Sequence, residues 1–107
     1  MKIVLAHSDR NYTNTLKIFF LNKGVTNIHV FSDGFNALTH IIKNRSHIVI
    51  IEETLPGLNA ADIKKALVFK HIKPEIVIVK SFNNMSPSKV LSKIKTEFNL
   101  NKQILEN

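Results

Sequence analysis

Four short apolar runs constrain this chain more than any other feature: KIVLA at residues 2–6, NIHVF at 27–31, HIVII at 47–51 and EIVIV at 75–79. KIVLA is a continuous apolar run rather than an alternating one, the pattern of a strand buried on both faces. NIHVF is more polar and belongs nearer a sheet edge, whereas HIVII is the most apolar run and the natural central strand. Between the runs the spacing changes from strand-like to helical.

Each intervening segment carries its own start signal. Asp9 or Asn11 can cap a helix in which Tyr12, Leu16, Phe19 and Phe20 share a face, with Gly24 stopping it. Ser32 or Asp33 caps a second helix with Leu38, Ile41 and Ile42 inward. After Pro56-Gly57, Asn59 caps a third with Ile63, Ala66 and Leu67 inward, and Asp62 suits its positive end. Ser86-Pro87 supplies a cap followed by proline at the first helical position, and Val90, Leu91, Ile94 and Phe98 form the stripe of a fourth helix.

Strands alternating with helices over short connections predict an α/β fold, a doubly wound parallel sheet of about four strands with helices on both faces and right-handed crossovers. The 107 residues are most simply one domain, 1–107. In such sheets functional groups gather beyond the C-terminal strand ends. Here those are His7-Ser8-Asp9, Ser32-Asp33, Glu52-Glu53-Thr54 and Lys80-Ser81.

Composition narrows the chemistry. Apolar residues form 44% of the chain and there is no cysteine, which removes disulfides, thiolate nucleophiles and cysteine metal clusters. The five histidines have no metal-ligand spacing such as HxxxH. The formal charge of +7 permits an anionic partner. The lysines are dispersed, however, without aromatic interleaving or finger spacing, so a nucleic-acid module is not the favoured reading. The N-terminal apolar run is too short for a signal peptide and no stretch could span a membrane, so a cytoplasmic location is expected.

The strand ends also carry a resemblance. KIVLAHSDR stands where receiver domains of two-component response regulators have an apolar strand followed by an acidic pair. VFSDGFNAL resembles their second strand and DGxEAL helix start. HIVIIEETLPGLNA resembles DLVLLDxxLPGMDG, with strand, acid and Leu-Pro-Gly in register. IVIVKSFNNMSPSKVLSKIK resembles the last strand and helix, DYLVKPFxPEELLxxI. The resemblance implies a flavodoxin-like (CheY-like) fold and a site in which carboxylates hold Mg²⁺ and an aspartate accepts a phosphoryl group, close to a Thr/Ser and a lysine.

At those positions the residues differ from the family's. His7 and Ser8 replace the acidic pair, Asp9 falls where a third acid is usual, and Glu52 stands at the phospho-acceptor position. Thr54, Lys80 and Ser81 complete the neighbourhood, with Lys80 matching the family lysine and Phe82 its phenylalanine. The implied cofactor is therefore none, or Mg²⁺ bound weakly. The resemblance also implies a chain one βα unit shorter than the family's. The register that makes VKSF the family's last strand is preferred over one that makes EIVIV its fourth. A shortened sheet leaves EIVIV as an edge, and a homodimer through that edge or the last helix is expected.

Glu52 has two readings: a fixed charge that partly imitates a phosphoaspartate, neutralised by Lys80, or a relic carboxylate. His7 is a polar strand-end residue paired with Glu52 or Ser8, in preference to a metal ligand or pH-sensitive group. Ser8 and Ser81 lack an organised base and oxyanion donors, and SPSK at 86–89 is a helix cap, so no enzyme is expected. The function expected is that of a stand-alone degenerate receiver, signalling through a protein partner at Phe82, Lys89 and Lys93, on a face running to Lys95. A residual phospho-switch is the alternative. A basic nucleic-acid module ranks third, and a flavin role last.

Overall fold

The computed structural model describes residues 1–94. The elements alternate along the chain as β1 (Lys2–Ala6), α1 (Arg10–Asn22), β2 (Asn27–Phe31), α2 (Gly34–Asn44), β3 (Ile48–Glu52), α3 (Ala60–Phe69), β4 (Glu75–Val79) and α4 (Pro87–Lys93). All strands are parallel in one sheet of order β2-β1-β3-β4, the flavodoxin-like arrangement the sequence implies. β3 lies between β1 and β4 and is buried at all five positions, whereas the edge strand β2 buries only Ile28 fully.

The helices begin where the short polar side chains predict. Asp9, not Asn11, caps α1 by accepting from the Asn11 and Tyr12 N–H groups, and Asp33, not Ser32, caps α2 through the Asn36 N–H. Asn59 caps α3 and Ser86 caps α4, with Pro87 in the first turn. Gly24 follows α1 at φ 90°, the left-handed region open to glycine, while α2 ends on Arg45 at φ 53° without a glycine.

Strand alternation divides the interior into two layers. Ile3, Leu5, Ile48, Ile50, Val77 and Val79 face Tyr12, Leu16 and Phe20 of α1, together with Val90 and Ile94. Val4, Ala6, Val49 and Ile51 face Ala37 and Ile41 of α2 and Ala60, Ile63 and Leu67 of α3. Leu38, Ile42, Ala66 and Leu91, expected inside, are half-buried at the flanks of their helices. Phe98 and Lys95 lie outside the described residues.

Two departures position the site. β3 runs one residue later than its apolar pattern suggested: His47 is exposed, while Glu52 joins the ladder opposite Val79. β4 pairs directly with β3, at the end of the order β2-β1-β3-β4. A right-handed crossover from β4 to a further strand would carry its helix over α2 and α3. Instead α4 returns over α1. Among the described residues β4 is thus an edge, and Ile76 and Ile78, on the α3 side, stay half-buried. Among the described residues no helix is long and apolar enough to cross a membrane.

Candidate functional site

The C-terminal ends of β1, β3 and β4 converge on Glu52. Its carboxylate is the charged group that β3 carries furthest into the molecule, with only 4% of the residue exposed. Burial of this kind costs free energy unless hydrogen bonds replace water. The Ser8 N–H donates to Glu52 Oε1 at 2.9 Å, and Thr54 and Ser81 hydroxyls are hydrogen-bonded to each other beside it. Burial alone would raise the Glu52 pKa, but hydrogen bonds from Ser81 and Ser8 outweigh it and hold the carboxyl below its usual range.

His7 is the second buried polar group, with Nδ1 3.9 Å from Glu52 Oε1. Its tautomer follows from its neighbours. The Asp9 N–H can only donate, and it points at Nδ1 at 3.0 Å. The proton therefore sits on Nε2, which donates to Asn84 Oδ1 at 2.9 Å. In this state both nitrogens are committed and the approach to Glu52 is not an ion pair. His7 assists the carboxylate electrostatically only when protonated, which would sacrifice the bond from Asp9.

The other strand-end residues divide into those the fold brings together and those it leaves apart. Ser8, Thr54 and Ser81 join Glu52. Asp9 is next in sequence, but its Oδ1 already accepts from two α1 N–H groups. Lys80 is exposed and makes no ion pair among the described residues, so neutralisation of Glu52 by Lys80 is not what the geometry provides. Glu53 is exposed, and its N–H donates to Val79 O. Ser32 lines a separate cleft of about 310 Å³ with His7, Arg10 and Thr13, on the β2 side. Phe82 is 91% exposed, and Lys89 and Lys93 are also exposed.

Three residues make contacts that were not visible in the sequence. Asn84 meets His7 across 77 positions. The Tyr12 ring lies 4.9 Å from the His7 ring, and its hydroxyl donates to Met85 O at 2.6 Å, with burial raising the phenol pKa. Together these tie the β4–α4 loop down over the end of β1. The third residue fixes the loop after Glu52: Gly34 N–H donates to Pro56 O at 2.8 Å, so close that a Cβ at Gly34 would lie 2.0 Å from Leu58 O.

As a metal site the cluster is poor. A hard divalent cation needs several accessible oxygens. At the two positions of the acidic pair stand an imidazole with both nitrogens in use and a serine. Among the described residues no group of three or more His, Asp or Glu could hold a metal. The residues do not fit a family-type Mg²⁺ centre.

No sequence-family model and no curated protein sequence matches the chain. Its structure does have counterparts, and the class they define is the response-regulator receiver fold. The signal receiver domain of a LuxO-type repressor protein from Vibrio parahaemolyticus superposes with TM-score 0.77 at 12% identity, over 98% of this chain and 93% of that one. A Francisella response regulator receiver domain gives 0.71 at 19%, covering 98% and 97%. A LuxR-family DNA-binding response regulator from Staphylococcus aureus gives 0.63 at 17%, covering 97% and 99%. At these identities the likeness is one of fold.

Proposed function

We propose that this protein is a degenerate receiver: a non-enzymatic signalling module that contacts a protein partner in the cytoplasm, its output set without aspartate phosphorylation. The observation that carries this reading is the self-satisfied pocket. Glu52 occupies the phospho-acceptor position, and its carboxylate is already held by the Ser8 N–H. His7, at an acidic-pair position, is committed on both nitrogens, one of them to Asn84 in the β4–α4 loop.

A receiver couples its site to an output face by moving loops at the strand ends. Here that loop is tied down by His7–Asn84, Tyr12–Met85 and Thr54–Ser81. Glutamate brings one charge where a phosphoryl group brings nearly two, so the site imitates the phosphorylated state only in part. Phe82, Lys89 and Lys93 are then presented constitutively. Incubation with acetyl phosphate and Mg²⁺ followed by intact-mass measurement tests this. The mass should not change, and a phosphoryl adduct mapping to Glu52 would overturn the proposal.

A further inference from the structure

Among the described residues, the open edge of β4 is the least finished part of the fold. Within β4 the backbone groups alternate in direction. Glu75 N–H donates to His47 O and Val79 O accepts from Glu53 N–H, so Glu75, Val77 and Val79 point towards β3. Ile76 and Ile78 therefore turn their N–H and C=O groups outward, where no described strand lies.

Concave surfaces flank this edge on both faces of the sheet, and Ile78 contributes to each. On the α3 side a groove of about 460 Å³ is lined by Ala60, Ala61, Lys64 and Glu53. Around the β4–α4 loop a second, of about 530 Å³, is lined by Lys80, Met85 and Lys89. An added strand would send successive side chains alternately to the two faces, which matches this arrangement. The rim carries three lysines against one glutamate, and none of the three is ion-paired among the described residues.

We infer that the β4 edge takes up an extended acidic segment of a partner protein as a fifth strand, its backbone bonded to Ile76 and Ile78, its apolar side chains in the two grooves and its carboxylates at Lys64, Lys80 and Lys89. This rests on the proposed function only in taking the output to be a protein contact, and it does not depend on the state of the Glu52 pocket. A second copy of the chain, expected from the sequence, competes for the same edge. Self-pairing would bring a chain of charge +7 against its like. Nor does β4 itself carry an acidic run, its acid being Glu75 alone. A nucleic acid could satisfy the lysines but has no peptide groups for the edge.

The test uses the full chain at low salt with a blocked peptide repeating Val-Val-Glu-Glu, so that each face carries both apolar and acidic side chains, a Lys/Val peptide of the same pattern, an N-methylated copy of the acidic one, and an oligouridylate. Binding of the acidic peptide should slow amide exchange at Ile76 and Ile78 by about tenfold or more. N-methylation should abolish the effect, and the Lys/Val peptide and oligouridylate should not reproduce it. The surface variant Lys64→Glu/Lys80→Glu/Lys89→Glu should bind the acidic peptide about tenfold more weakly. Four results would overturn the inference: no binding of the acidic peptide, binding that ignores N-methylation, equal protection by oligouridylate, or Ile76 and Ile78 amides already protected in a free protein that sediments as a dimer. Phosphorylation of Glu52 would leave every one of these outcomes unchanged, so the two proposals fail separately.

Discussion

Replacing Glu52 with glutamine isolates the charge at the centre of the site. The side chain keeps its shape, and its amide oxygen can still accept from the Ser8 N–H, now at neutral strength. A hydrogen bond to a charged group is worth about 1.5–3 kcal/mol and a neutral one about 0.5–1.5, so the loss at pH 7 is about 1 kcal/mol. The sign with pH follows from the lowered Glu52 pKa. A depressed carboxyl pKa contributes stability that is present above the unfolded-state value and lost as pH falls through the folded one. Wild type should therefore exceed Glu52→Gln by about 1 kcal/mol at pH 7 and lose that advantage once its own carboxyl is protonated. Urea unfolding measures it. With a slope of about 1–3 kcal/mol per M the midpoint should drop by roughly 0.3–1 M at pH 7, and the difference should shrink as pH falls below the ordinary carboxylate range. If the glutamine form is the more stable at pH 7, desolvation outweighs the hydrogen bonds and the pocket is not satisfied as described. A gap that does not narrow at all as pH falls through and below the ordinary carboxylate range would mean that it does not arise from the charge.

Three further substitutions test the scaffold. Gly34→Ala places a methyl against the Leu58 backbone, so despite alanine's better helix propensity it should lower stability by about 2 kcal/mol or more in urea unfolding. Tyr12→Phe removes the bond to Met85 O and should cost about 1 kcal/mol, with faster amide exchange confined to residues 83–85. Asp9→Ala deletes the α1 cap, at about 1 kcal/mol, and thermal unfolding would register it.

Much of the fold was readable because local signals agreed with one another. β1, β2 and β4 fall where their runs do, and Asn59 and Ser86-Pro87 cap as short polar residues before helices should. Glu52 was identified from its place at the end of an apolar strand and from the Leu-Pro-Gly that follows. Its burial was less legible, because the apolar run stops at Ile51 while the ladder extends one residue further to reach Val79. What holds Glu52 was not legible at all. The Ser8 N–H is a backbone group with no sequence signature, and Asn84 reaches His7 only because α4 returns over α1. That return is a property of topology: nothing in PSKVLSK says which face of the sheet it will cover. Lys80, assigned to Glu52 by resemblance, stands exposed beyond the end of β4.

The central claim is that the pocket around Glu52 is closed on itself and no longer a phosphoryl switch. Amide spectra of the isotopically labelled protein, titrated with Mg²⁺ and then with beryllofluoride, test it most directly. The Ser8, Glu52, Glu53 and Ser81 resonances should show no saturable change. Saturable shifts confined to those residues and the β4–α4 loop would contradict the account and restore a working phospho-switch.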